Sequence, residues 1–369
     1  MYQSERVLKE MDGIRQPQHS GFSTKKSLWN FSVSLCLCGA FSLLKSTPAH
    51  AMHISEGILP FNWATLWFAA AVPFVALGLK RLDTLAKDDL SFKPLVGLMA
   101  AVVFIISCMP IPVPTAGTCS HPCGTGIAAI LVGPLVSIVI AAVALLIQAL
   151  FLAHGGLSTL GADIVSMGVA GSFAGWFTFR LLRKLGANLA VAGFAAGLLA
   201  DWATYVTTSV ALASGIRGDA PFLPLFWKIL IAFIPTQLPM GVLEGAMTAG
   251  MVVLLHKKRP DLLVKMRVVK PGTGNREPGS ATPIIVSLFL IFSLFLLTPH
   301  TSLSSEAWRG VDESVVEKIA REHGRQARKP LIDPGEGDLL LFAFLLAGVV
   351  GGFAAGYYWR LLVSEKKAR

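Results

Sequence analysis

Two neighbouring residues in this sequence could chelate a metal ion almost unaided. A cut after Ala51 would make Met52 a free amino terminus and His53 the second residue. The terminal amine, the His53 backbone nitrogen and the His53 imidazole could then take three corners of a plane, closing one five-membered and one six-membered ring. A fourth nitrogen from His121 would complete an N4 set. Tetragonal nitrogen ligation favours Ni(II) or Cu(II), and an amide nitrogen yields its proton only to a strongly polarising metal, which excludes Mg and Ca. A plainer reading stands beside this one, because a lone histidine near a membrane interface commonly serves as an amphipathic anchor. His121 itself lies in the string Cys119-Ser120-His121-Pro122-Cys123. Thiolates there would suit softer metals such as Cu(I) or Zn. The alternatives are two small apolar loop residues or, outside the cytoplasm, a disulfide.

This chemistry needs a processed terminus, and the sequence carries the signals for one. Lys25 and Lys26 precede an apolar stretch from Leu28 to Leu44, which ends in Ala49-His50-Ala51. That is a basic region, a hydrophobic region and a small-x-small cleavage site, so residues 1–51 are expected to be a signal peptide removed after Ala51. Cys36 and Cys38 lack the small preceding residues of a lipidation signal. Met52 would then emerge outside the cytoplasm.

The remainder reads as membrane protein. Of 369 residues, 53% are hydrophobic and only 15% charged, against about 25% charged in a typical soluble domain; the mean hydropathy is +0.62. Apolar runs near 61–79, 94–112, 126–153, 162–182, 187–214 and 224–255 approach or exceed the roughly 20 residues of a spanning helix. The net charge of +10 sits in short segments between these runs, as in cytoplasmic loops, which speaks against nucleic acid as a partner. No P-loop appears, so any pumping must draw on a partner or an ion gradient. The 126–153 run is too long for one simple crossing, and Gly133-Pro134 interrupts it. Splitting it there into a short descending segment and a full ascending helix puts Lys80 to Lys93, Arg180 to Lys184 and His256 to Lys270 all inside. The expected fold is an all-α membrane bundle of about seven spans, with the new terminus and the His121 loop sharing the outer face.

After residue 256 a basic cytoplasmic linker is expected over 257–282, followed by a two-helix hairpin over 283–369 with spans at 283–298 and 339–362. Its loop would be extracytoplasmic, its tail cytoplasmic, and residues 312–325 could form a short helix. Within the bundle, Asp163, Asp201 and Glu244 are ionisable residues at or near membrane depth, a default pointer to function. Together with Glu56 and Ser120, Asp163 and Asp201 are candidate outer partners of the metal-binding histidines, since a ligating imidazole usually donates its other N–H to an acceptor. For Asp201 the alternative is a hydrogen bond between helices, and for Glu56 it is capping of the first helix. His154, His256, His300 and His323 fall in loops or at span ends and read as surface residues.

The string Met52-His53-Ile54-Ser55-Glu56-Gly57-Ile58-Leu59-Pro60 resembles the amino terminus of the CbiM/NikM family, and Ser120-His121-Pro122 followed by Gly124 and Gly126 is similar to that family's second signature. Members are substrate-binding (S) components of energy-coupling-factor transporters for cobalt and nickel. The resemblance covers 52–256 and implies that the metal is held by the Met52 amine, the His53 amide and imidazole, and His121. It implies Co2+ or Ni2+ as transported ligand, no catalytic cofactor, and three partners: a transmembrane coupling (T) protein and two cytoplasmic ATPases. The signal peptide and the charge pattern place the chain in the bacterial inner membrane, amino terminus outside and carboxy terminus cytoplasmic, and the resemblance implies a use in cobalamin synthesis or nickel-enzyme maturation. The carboxy-terminal hairpin resembles the small CbiN/NikN subunit, here fused. Two other readings stand against this one. An ion-gradient-driven secondary metal transporter would be expected to show inverted repeats, which the sequence does not. An intramembrane Cys/His enzyme would need an orienting carboxylate or Asn beside His121, and none is near in sequence.

Overall fold

The computed structural model describes residues 53–88, 92–113, 116, 118–269, 309–310, 312–329 and 339–365. Residues 1–51, Met52, the second half of the expected linker (270–282) and the hairpin span expected at 283–298 lie outside the described residues. The bundle consists of α1 (Phe61–Asp88), α2 (Phe92–Cys108), α3 (Thr125–Val132), α4 (Pro134–Phe151), α5 (Leu160–Lys184), α6 (Leu189–Ile216) and α7 (Phe222–Lys258), followed by the short α8 (Pro260–Lys265). A π-wound turn, Asp312–Glu317, leads into α9 (Lys318–Glu322), and α10 (Leu339–Glu365) ends the described chain. Among the described residues six helices are long and apolar enough to cross a membrane: α1, α4, α5, α6, α7 and the 345–362 stretch of α10. The 17 residues of α2 rise about 26 Å, a little short of a hydrocarbon core of roughly 30 Å.

The chain breaks where Gly133 and Pro134 stand. Gly133 adopts φ 87 and ψ 155, a conformation open chiefly to glycine. Pro134 then takes the first helical position of α4, where its missing N–H leaves no bond unmade. All eight residues of α3 are buried, and at about 12 Å this helix enters the bundle without crossing it. Lipid tolerates such irregular backbone only inside protein. Lipid also gives apolar helices no reason to prefer one another over acyl chains, so close contact must come from small residues. A Cβ on Gly175 would lie 2.8 Å from Gly126 Cα, and one on Gly197 would lie 2.6 Å from the Glu244 carbonyl oxygen. These positions bring α3, α5, α6 and α7 together. On the other side, Gly97 of α2 faces Tyr358 of α10.

The loops at the His121 end of the bundle contain a little β structure that the all-α expectation did not include. β1 (Ile111–Val113) and β2 (Thr118–Ser120) pair antiparallel, and β3 (Arg309–Gly310) adds to β2 in parallel. Runs of two and three residues are too short for alternation to announce. Val316, Ile319 and Ala320 pack with Ile54, Ile58 and Leu59 in one buried apolar cluster. The carboxy-terminal segment thus lies directly on the segment that carries His53.

Candidate metal centre

The polypeptide from His53 to Pro60 is irregular rather than helical, and apart from one turn in which Ile58 N–H donates to the Ser55 carbonyl at 3.4 Å its backbone groups need partners from elsewhere. The turn between α4 and α5, together with the first turn of α5, supplies several of them. Ile54 N–H donates to Asp163 Oδ1 at 3.2 Å, and Thr159 Oγ1 donates to the Ile54 carbonyl at 2.5 Å. Ser158 N–H donates to Glu56 Oε2 at 3.0 Å, and Gly57 N–H to Ser158 Oγ at 3.2 Å. The two chains meet without room for a side chain, since a Cβ on Gly156 would sit 2.5 Å from Glu56 Cα. This embrace buries His53 and, in the same turn, His154.

His121 arrives from the loop between β2 and α3. Both oxygens of Glu244, on α7, accept backbone N–H bonds from that loop: Oε2 from Cys123 at 2.6 Å and Oε1 from Gly124 at 3.0 Å. Ser120 Oγ accepts from Gln237 Nε2 at 2.9 Å. The three imidazoles of His53, His121 and His154 converge, with ring centroids 4.9, 4.9 and 5.1 Å apart. One nitrogen from each lies within 4.8 Å of the others.

The hydrogen bonds decide which nitrogens face the centre. The Gln148 amide donates from Nε2 to Ser107 Oγ at 2.7 Å, and Ser107 Oγ donates to the Val103 carbonyl at 2.7 Å. Gln148 Oε1 is therefore an acceptor, so its contact with His53 Nε2 at 3.0 Å places the ring proton on Nε2. The lone pair is left on Nδ1, the nitrogen that closes a six-membered ring with the residue's own amide. His121 has the opposite arrangement: Nδ1 lies 3.1 Å from the Pro122 carbonyl and donates to it, leaving the lone pair on Nε2. His121 Nε2 lies 3.1 Å from His154 Nε2, close to the roughly 2.9 Å between adjacent donors bound at about 2.0–2.1 Å to one ion. Burial pushes the His121 imidazole down to about 4. Burial first, then the neighbouring rings, also holds His53 and His154 well below the ordinary 6.5. All three are neutral at neutral pH, the form a metal ion requires.

A family model described as the cobalt uptake substrate-specific transmembrane region, CbiM, matches residues 53–262, which include the whole of this centre. The chain belongs to the CbiM family. A protein of Geobacter sulfurreducens named cobalt transport protein CbiM is 70% identical over 93% of this chain and 98% of its own length. A protein of the same name from Sorangium cellulosum is 57% identical over 60% of this chain and 99% of its own. A solved structure described as a truncated transition metal transporter is 25% identical with a TM-score of 0.48, covering 55% of this chain and 98% of its own. The CbiM match takes in α1 to α7 and ends in α8.

Several expectations are corrected by the geometry. His154 reads as a surface residue in the sequence, yet it is 2% exposed and belongs to the histidine cluster; the His53–Pro60 segment covers it. His256 is also buried, at 7% exposure. Cys119 and Cys123 are separate buried thiols, with no disulfide between them. Among the candidate outer partners, Asp163 and Glu56 hold the backbone around His53 rather than its ring, and Glu56 caps the turn before α5, not α1. Ser120 bonds Gln237, and Asp201 Oδ1 faces the Cys123 thiol at 3.9 Å. The acceptor for the His53 ring is Gln148, which the sequence reading passed over. Its signal was available: a lone amide inside the apolar α4.

Proposed function

We propose that this chain is the substrate-capture component of an uptake system for a divalent transition metal, cobalt or nickel, in the bacterial inner membrane. The observation that carries the reading is the convergence of three buried neutral histidines, His53, His121 and His154, in a CbiM-family chain whose similar relatives are named cobalt transport proteins. With the mature amino terminus at Met52, the terminal amine and the His53 amide and Nδ1 form the planar chelate, and His121 Nε2 supplies the next donor. Such nitrogen donors suit Ni(II), Co(II) and Cu(II) and reject Mg and Ca. The chain transports and does not catalyse. The centre faces outward and the carboxy terminus lies in the cytoplasm, as the positive-inside rule favours. A transmembrane coupling protein and two cytoplasmic ATPases would supply the energy, as the family resemblance implies for a sequence that carries no P-loop.

The test is uptake of radioactive cobalt or nickel by cells expressing the chain with such partners, alongside metal retention by the purified protein. His53→Ala and His121→Ala should each abolish both while membrane insertion is unchanged. Uptake that survived both substitutions would remove the proposed centre. Uptake abolished by an uncoupler but insensitive to ATP depletion would instead favour a secondary transporter.

A further inference from the structure

A second convergence of ligating groups lies beyond the histidines. Two residues after His121, the thiol of Cys123 meets the carboxylates of Asp201 and Glu244, with ligand atoms all within 4.8 Å of one another. Asp201 stands near the middle of α6 and Glu244 well inside α7, so the cluster sits deep in the bundle. Exposure is 0% at Asp201 and 1% at both Cys123 and Glu244. Two carboxylates in an apolar interior must be neutralised, by protons or by a bound cation. Among the described residues neither forms a salt bridge with Lys or Arg. Glu244 is held in place by the Cys123 and Gly124 N–H groups. Asp201 Oδ2, by contrast, is buried with no hydrogen-bond partner. A buried oxygen left unsatisfied beside a second carboxylate and a thiol is what a cation-binding position looks like before its ion arrives.

We infer that Cys123, Asp201 and Glu244 form an inner station for the same divalent metal, which receives the ion from the histidine centre on its way through the bundle. The inference rests on the proposed function. Two carboxylates balance a divalent charge. Coordination displaces the thiol proton, which leaves with whatever proton the carboxylates carried. The donors differ in kind from those outside: one sulfur and two oxygens, against nitrogens. A sulfur-and-oxygen set lacks the planar preference of the outer chelate and accepts Co(II) or Zn(II) in tetrahedral surroundings. His121 and Cys123 share one short loop, so a movement of that loop alters both stations together.

Cobalt reports the difference optically, because thiolate bound to Co(II) gives a near-ultraviolet charge-transfer band that nitrogen ligation lacks. The full chain, purified in detergent with its mature terminus, would be titrated anaerobically with Co(II). The band should grow as cobalt binds beyond the first equivalent, and Cys123→Ser should abolish it. Asp201→Asn should weaken binding of the later equivalent by at least the roughly tenfold that loss of a ligand's outer partner costs, with the first equivalent untouched. The unaltered chain alone decides the main point if a variant fails to fold. A chain that holds cobalt with no charge-transfer band at saturation, or whose band follows Cys108 or Cys119, overturns the inner station and leaves the histidine centre standing. A chain that takes up no cobalt, or whose first equivalent survives His53→Ala together with His121→Ala, overturns the proposed function and this inference with it.

Discussion

Gln148→Leu removes the acceptor that keeps the proton of His53 on Nε2. The bond is 3.0 Å long, its partners are buried, and the glutamine amide is oriented by Ser107 behind it. In the metal-free protein the ring can turn or exchange tautomer to recover part of the loss. In the chelate it cannot, because Nδ1 is on the metal and Nε2 must carry the proton toward leucine. The cost therefore falls on the bound state. An unpaired buried N–H costs about 1–3 kcal/mol, and at about 1.4 kcal/mol per decade this weakens binding by about 5- to 150-fold. Outer partners of ligating histidines typically matter by about 10- to 100-fold, which agrees. Gln148→Glu keeps an acceptor facing Nε2, and the Ser107 hydroxyl can turn to donate to it, so that variant should stay within a few-fold of the parent. The assay is competition for Co(II) or Ni(II) against a chromophoric chelator. Equal affinity in Gln148→Leu and the parent would refute the tautomer argument, and so would equal losses in both variants.

The close approach of α1 and α5 makes Gly161→Ala destabilising, since its Cβ would lie 2.5 Å from Phe68 N; a loss of about 1–3 kcal/mol is expected, read as a lower thermal midpoint in detergent. Arg325 Nε and one terminal guanidinium nitrogen donate to the Ile58 and Gly57 carbonyls at 3.0 Å. Arg325→Ala should therefore speed hydrogen exchange of amides 54–59 and the stripping of metal by a chelator; unchanged exchange would show that the carboxy-terminal segment does not clamp this stretch of chain. Burial lowers the folded-state pKa of His121 from 6.5 to about 4, so the unfolded chain binds more protons across that window. Metal-free stability should then fall as pH drops from about 6.5 toward about 4, and His121→Ala should flatten the decline; a thermal midpoint independent of pH there would contradict the placement.

Hydropathy and a few breakers carried much of this fold. The Gly133-Pro134 step marked the break between α3 and α4 because one residue takes a backbone conformation few others accept and the next lacks an N–H. The runs understated α1 and α7, which continue to Asp88 and Lys258, since a helix persists after its residues turn polar. His53 and His121 stood out through their company in sequence, and both lie in the centre. His154 did not, because its burial comes from a segment about a hundred residues away in the chain folding over it. Asp201 and Glu244 were marked by charge at membrane depth, but their shared neighbour, Cys123, is a tertiary fact. The strands were illegible for want of length.

The proposed function requires that a chain beginning at Met52 hold a transition metal through His53 and His121. Elemental analysis of the purified protein, with the amino terminus sequenced on the same sample, tests it most directly. One tightly held equivalent of cobalt or nickel on a chain starting at Met52, absent from His121→Ala, is the expected result. Metal held equally well by a chain that starts elsewhere, or retained when His121 is replaced, would contradict it.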